Sequence, residues 1–315
     1  MLNITRLKLL RDLASYKTVA ATAEAAFMSP SAVSQQLATL ERETGLELLL
    51  KVGRNVILTD AALKLVKDSD EIFAAMERTE AQVELMSEGA GGMIELSAFP
   101  TAARCIVVPM LVRLRETAPN IVIHVSDLEP ETALPMLRSE ELDLMVYYDW
   151  TLVPSVPSQG LAITELLSER VYLAMPISHP LASREGPIAL SELENESWIA
   201  GLESTSMGAV VRAATGHAGF DPSYRFQTMD FEVILTAVAA GLGLALVPPL
   251  GFSEHYREGG VAFKRMADIE PMRVVKAAVR KGAEQIPLTR IVLDTLSAIS
   301  GEVVQRLDLI DEEIG

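Results

Sequence analysis

Ser29 to Glu43, SPSAVSQQLATLERE, constrains the fold of this chain more than any other stretch. Ser29 is a good N-cap because its hydroxyl can accept an orphan backbone N–H, and Pro30 at the first helical position has no N–H to leave unpaired. Val33, Leu37 and Leu40 follow at i, i+4 and i+7 and make one apolar face. Ser31, Ser34 and Gln35 project from the other face with short neutral groups of the kind that bond base edges. Alone, the stretch is equally any amphipathic surface helix. Its upstream context favours a helix-turn-helix: Leu7, Leu10 and Ala14 pattern a first helix, Thr18 caps a short Ala-rich one, VAATAEAAF, and a tight turn leads to Ser29.

Gly45 suits the end of that helix. LELLLKVGRNVILT then holds two short apolar runs around residues 52–55, which reads as a β-hairpin wing with Lys51 and Arg54 placed to touch phosphates.

Across residues 18–62 the chain resembles the LysR-type transcriptional regulators. The shared features are the Ala-rich helix, Ser-x-x-Val-Ser-Gln-Gln-Leu, Leu40-Glu41, Gly45, the basic residues at 51 and 54, and Leu58-Thr59. The departures are Leu49 where the family usually has Phe, Lys51 where it has Arg and Ala62 where it has Gly. Lys51 forgoes the bidentate geometry that an Arg offers. The resemblance implies a DNA-contacting set of Ser29, Pro30, Ser31, Ser34, Gln35, Lys51 and Arg54, with double-stranded promoter DNA as partner.

A net charge of −16 looks wrong for a DNA-binding chain until it is divided. Residues 1–65 carry 8 Lys and Arg against 6 Asp and Glu, and the remainder 19 against 37. The acidity therefore sits outside the proposed DNA-binding head, leaving affinity to a few placed contacts used twice over in an oligomer. The single cysteine, Cys105, excludes an intramolecular disulfide and a two-cysteine peroxide switch within one chain. In RCIVVPML it reads as a small buried hydrophobe rather than a redox sensor. Neither a signal peptide nor a run of about 18 uncharged apolar residues is present, so a cytoplasmic protein without membrane contact is expected.

Residues 60–88 lack Gly and Pro and read as one long helix. Ala62, Leu65, Ser69, Ile72, Met76, Thr79, Val83 and Met86 alternate spacings of three and four, the seam of a coiled coil. Either this helix dimerises the chain or it packs on its own domain; dimerisation is preferred, because two recognition helices must be held about 34 Å apart to read two half-sites. Glu88-Gly-Ala-Gly-Gly then makes a flexible joint.

From Met93 the pattern becomes α/β. MIELSAF reads as a strand, residues 100–115 as a helix, 121–125 as a strand, 131–138 as a helix and 142–148 as a strand, which implies a parallel sheet covered on both faces. A loop over 152–160 precedes a second run of strands and helices, and the chain ends in a strand and C-terminal helices. Further phrases, ELDLMV at 141–146, SHPLA at 178–182 and AAGLGLALVPP at 239–249, extend the resemblance over most of the chain. It implies a winged helix-turn-helix over 1–60, a linker helix over 61–90 and a periplasmic-binding-protein-like effector domain over 91–315. Within that domain, one subdomain comprises 93–163 and 266–315 and the other 164–265.

Ligands of open α/β sheets bind beyond the carboxyl ends of strands, so a cleft between two such subdomains is the natural pocket. That rule and the resemblance place there Thr101 and Ala102, Tyr147, Ser204 and Thr205, Met229 and Asp230, and Val247 and Pro248. The expected ligand is a small organic effector, a carboxylate among the candidates, gripped by Thr101 and Thr205. No cofactor or metal is expected. Gly241-Leu-Gly243 lacks the third small residue of a dinucleotide fingerprint, and the histidines at 124, 179, 217 and 255 are scattered singly.

The reading is an effector-responsive LysR-type regulator, homodimeric or homotetrameric and not an enzyme. Its rivals are a cytosolic small-molecule carrier or enzyme with a vestigial head, and a DNA-organising protein without a ligand.

Overall fold

The computed structural model describes residues 2–52, 55–86, 92–252 and 260–314. Helix α1 (Ile4–Tyr16) starts where the Asn3 side chain accepts the Arg6 N–H, and it buries Leu7, Leu9, Leu10 and Leu13. Thr18 caps α2 (Val19–Ala25) in the same manner. Ser29 caps α3 (Pro30–Thr44) by accepting the Ala32 N–H at 3.2 Å, and Gly45 closes it at φ 68, a left-handed conformation that costs glycine little. Val33, Leu37 and Leu40 are fully buried and join Leu10, Leu48 and Ala62 in the core of the head. Strands β1 (Leu49–Val52) and β2 (Asn55–Leu58) form the wing, an antiparallel hairpin in which Lys51 faces Val56. Gly53 and Arg54 at its tip lie outside the described residues.

Helix α4 (Asp60–Met86) runs for 27 residues, about 40 Å at roughly 1.5 Å per residue. Thr59 caps it with its hydroxyl and ties it to the wing through its own N–H, which reaches the Leu48 carbonyl at 2.9 Å. Its seam divides. Ala62 and Ser69 are buried within the chain, whereas Ile72, Met76 and Val83 are exposed. Met86 has no described side chain, and residues 88–91 of the expected joint lie outside the described residues.

The body holds two sheets. In the first, β3 (Gly92–Ala98) runs parallel to β4 (Ile121–Asp127) and β5 (Leu144–Trp150). β12 (Met272–Arg280) pairs antiparallel with both β5 and β6 (Leu161–Arg170), giving the order β4-β3-β5-β12-β6. The sheet is therefore mixed, not parallel as expected, because the chain leaves it along β6 and returns beside it along β12. The expected division at residue 164 falls inside β6, which stays with the first sheet to Arg170 through its pairing with β12. In the second sheet, β7 (Tyr172–Pro176) is flanked antiparallel by β10 (Ala245–Val247) and β11 (Val261–Lys264). Beside it, β8 (Ser197–Ala200) runs parallel to β9 (Ser223–Gln227) and bridges Leu244 through Trp198.

The helix expected over 100–115 is three pieces: α5 (Pro100–Ala102), a π-helical turn (Ala103–Val107) and α6 (Val108–Thr117). Pro109 supplies the reason, since it has no N–H for the Cys105 carbonyl one turn earlier. Then come α7 (Pro130–Ser139), α8 (Ser206–His217) and α9 (Phe231–Ala239). The chain closes with a single 28-residue helix, α10 (Pro287–Ile314), in place of several. Val292, Leu296 and Ile299 of α10 pack into a core continuous with both sheets.

The head docks on the body of its own chain. Lys8 and Arg11 of α1 reach Glu140 at the end of α7, at 2.6 and 3.2 Å, and the Tyr16 hydroxyl meets Ser139 at 3.0 Å and donates to Glu141. Asp12 is 3% exposed in this contact, and burial pushes its carboxyl up to about 6 despite the neighbouring Arg11. A carboxyl that binds its proton more tightly folded than unfolded carries no penalty below the unfolded value, and the full penalty above about pH 6. Asp12→Asn should therefore match the wild type near pH 4 and exceed it by on the order of 2 to 3 kcal/mol at pH 7.5, read by urea unfolding. A difference that did not change with pH would clear Asp12 of this role.

Candidate DNA-reading head and effector cleft

On α3 the residues opposite the buried face, Pro30, Ser31, Ser34 and Gln35, are all exposed. Ser34 donates to the Pro30 carbonyl at 2.9 Å, which leaves its lone pairs outward as acceptors, and Ser31 meets the Ser29 hydroxyl at 3.0 Å. Lys51 stands exposed on β1. Sequence reasoning passed over two neighbours. One carboxylate oxygen of Glu41 accepts the N–H groups of both Leu48 and Leu49, at 2.8 and 3.0 Å, and so fastens the wing to α3. Arg42, one residue on, is exposed and steadied by the Thr39 hydroxyl at 2.8 Å. The pair Leu40-Glu41 was visible in the sequence only as a family feature, with no sign of what Glu41 holds.

Between the two sheets lies a cavity of about 150 Å³, room for roughly five waters at about 30 Å³ each. It is bounded by α5, the ends of β5 and β12, the start of α8 and the turn from β9 into α9. Arg273 of β12, 1% exposed, forms its floor. The guanidinium Nε and Nη2 donate to Glu169 at 2.8 and 2.6 Å, and Nη2 also reaches the Thr101 hydroxyl at 3.2 Å. The rings of Phe99, Tyr148, Trp150 and Phe231 surround it with centroids 5.2 to 5.7 Å from the guanidinium carbon, close enough for cation–π attraction. Beneath it, Glu169 also accepts the Leu250 N–H at 2.8 Å. Burial pushes this carboxyl up against the opposing pull of Arg273.

The rest of the wall is polarised. Arg104 pairs with Glu232 at 3.6 Å and donates to the Leu250 carbonyl at 2.6 Å. Glu129 accepts the Tyr148 hydroxyl at 2.7 Å, and burial raises its carboxyl. Trp150 carries a buried indole N–H with no acceptor among the described residues.

Of the residues expected in the cleft, Thr101, Met229 and Asp230 line this cavity. Asp230 also caps α9 by accepting the Glu232 N–H at 2.8 Å. Ala102 is fully buried behind Thr101. Tyr147 is a correction. Successive strand residues point to opposite faces, so Tyr147 packs with Leu137 and Ala278 under α7 and its neighbour Tyr148 enters the cleft. Ser204 is exposed outside the cavity, and Thr205 is committed to capping α8, accepting the Gly208 N–H at 3.2 Å and donating to the Leu202 carbonyl at 2.7 Å. Val247 and Pro248 are buried away from the cavity, in and after β10. Arg273, Glu169 and Glu129 were not anticipated. The one available signal was a charge standing beside apolar strand runs, as in MRVVKAAVR and LLSER.

Two family models match the chain: "Bacterial regulatory helix-turn-helix protein, lysR family" over residues 4–63 and "LysR substrate binding domain" over residues 87–299. The chain belongs to the LysR family. It is similar to the hydrogen peroxide-inducible genes activator of Pectobacterium carotovorum subsp. carotovorum, with 25% identity over 90% of this chain and 91% of that one. It is also similar to the transcriptional dual regulator GltC of Bacillus subtilis, at 25% identity over 71% and 73% of the two chains. Among solved structures, a full-length OxyR variant from Pseudomonas aeruginosa superposes with a TM-score of 0.61 at 20% identity, covering 94% of this chain and 95% of that one. HinK from the same organism gives 0.57 at 19% identity over 95% and 98%. These likenesses show the fold. The LysR-family chain is a DNA-binding transcriptional regulator with an effector-binding domain, and its relatives are regulators rather than enzymes. No described helix is long and apolar enough to cross a membrane.

Proposed function

We propose that this LysR regulator acts in the cytoplasm as a homodimer or an assembly of dimers, and that the cavity at Arg273 binds an amino-acid-like zwitterion that alters its promoter contacts. The exposed strip of Ile72, Met76 and Val83 along α4 supports the dimer, since it gives two copies an apolar face to share. Ser31, Ser34 and Gln35 read base edges, with Lys51, Arg54 and Arg42 on the phosphates.

The observation that carries the ligand class is the pairing of unlike poles along Tyr148. Beside its ring lie Arg273, Thr101 and the unpartnered Trp150 N–H, a set that accepts a carboxylate. At its hydroxyl lies Glu129, which pairs with no cation among the described residues and suits an ammonium. A plain carboxylate would leave Glu129 unmatched. The volume fits a compact molecule, with Met207, Met229 and Phe231 against its side chain. One cysteine per chain favours such reversible binding over a thiol switch.

The test titrates full-length protein with α-amino acids, monocarboxylates and amines of matched size, reading Trp150 fluorescence with Trp150→Phe as blank. Glu129→Gln should weaken the amino acid by roughly ten- to a hundredfold, the range of a charge-assisted hydrogen bond. Equal binding of a bare carboxylate, indifferent to Glu129→Gln, would overturn the zwitterion.

A further inference from the structure

A second and larger cavity, about 540 Å³, lies where the DNA-reading head meets the body. Its walls are α1, residues 63–77 of α4, the end of α7, the segment 157–161 and the end of β12, so it is bounded by both the head and the body. Cations line it in excess, and the acids present are already engaged. Glu77 pairs with Arg280, and Asp70 accepts the Gln159 amide at 2.7 Å. Lys64 and Lys67 have no carboxylate within 4.0 Å among the described residues, and Arg138 donates only to the Pro157 and Gln159 carbonyls, at 3.0 and 3.3 Å.

Arg11 supplies the built part of this site. It is 8% exposed and is held 3.9 Å above the Phe73 ring of α4. Its Nη2 reaches Glu140 at 3.2 Å, while its buried Nε–H, 4.0 Å from the Asp12 carboxylate, has no acceptor within hydrogen-bond distance among the described residues. A buried donor left open is costly, and a cavity it lines is where an acceptor would be expected. The net charge of −16 disfavours anions at long range, so an anion held here would owe its affinity to this cavity and not to a diffuse attraction.

We propose that this cavity binds a small polyanion, of the tricarboxylate or phosphate-ester class, between head and body. Bound there, it neutralises α4 cations against Arg138 and Arg11 and favours the docked arrangement of α1 on α7. By linkage, any preference of DNA for another arrangement is then opposed by the anion, and the anion by DNA.

The experiment is calorimetric titration of the full-length protein with citrate and with pyrophosphate, each against potassium chloride at matched ionic strength. Saturable binding of one equivalent per chain is expected, weakened at least tenfold in Lys64→Gln/Lys67→Gln and in Arg138→Gln, and unchanged in Glu129→Gln. Preference between the two probes distinguishes a carboxylate ligand from a phosphate one. Absence of saturable binding by either anion, or affinity unaltered in both cation variants, would overturn the proposal. Tighter binding in Glu129→Gln, which removes a repelling carboxylate from the Arg273 cleft, would move the anion to that cleft and overturn it equally. Both lysines are exposed, so their removal leaves folding intact, and a thermal melt beside each titration verifies it.

Discussion

Arg273→Met should destabilise the protein by about 3 to 5 kcal/mol, because it strands the Glu169 carboxylate in the core without its cation. The pair is 1% and 0% exposed, so neither charge has water to fall back on. The loss should shrink at lower pH, where Glu169, already pushed up by burial, takes up a proton and is relieved. Arg273→Met/Glu169→Leu should recover much of the stability, since a matched apolar pair replaces a matched ionic one. Urea unfolding of the three proteins decides it. A single variant within about 1 kcal/mol of the wild type would mean that water or a neighbour already balances Glu169. The double variant has a further use: a stable protein without ligand response would separate what the pair does for the cleft from what it does for the fold.

The second large effect is on DNA. Ser34→Ala/Gln35→Ala should leave stability within about 0.5 kcal/mol, because both side chains are exposed and the one bond lost is Ser34 to its own helix. Each base-edge contact removed costs about 1 to 3 kcal/mol, and the proposed dimer would lose it in both half-sites. Even the low end of that range lowers operator affinity by roughly a thousandfold. The salt dependence of what binding survives should keep its slope, since the phosphate contacts proposed for Lys51 and Arg42 are untouched. A footprint on the upstream region at two salt concentrations reads both quantities. Unchanged protection by the double variant would remove Ser34 and Gln35 from the reading face.

The head and the cleft were legible to different depths. In the head, the signals are local: the Ser29 cap, Pro30 at the first turn, the Val33, Leu37 and Leu40 face, and Gly45 at the end all appear where the residues place them. Helix α4 was legible as a helix but not in its loyalties, since the same seam serves its own chain at Ala62 and Ser69 and is bare at Ile72, Met76 and Val83. In the cleft, reasoning from strand ends reached Thr101, Met229 and Asp230 and missed by one residue at Tyr148. That single step matters because pleating alternates faces, and only the pairing of β5 with β3 and β12 says which face looks into the cleft.

By itself, the sequence determined the winged head, the long helix and the α/β character of the body. Each of these follows from interactions within a few residues, namely capping, helical or alternating periodicity, and turn chemistry. Tertiary structure alone decided that β12 returns antiparallel between β5 and β6 and carries Arg273 onto Glu169, far away in the chain. It also decided that α1 of the head leans on α7, so that Arg11 and Arg138 face one cavity. Such contacts join residues with no periodic relation, and a buried charge is tolerated only where a distant partner meets it, so neither could be read from a neighbourhood in sequence.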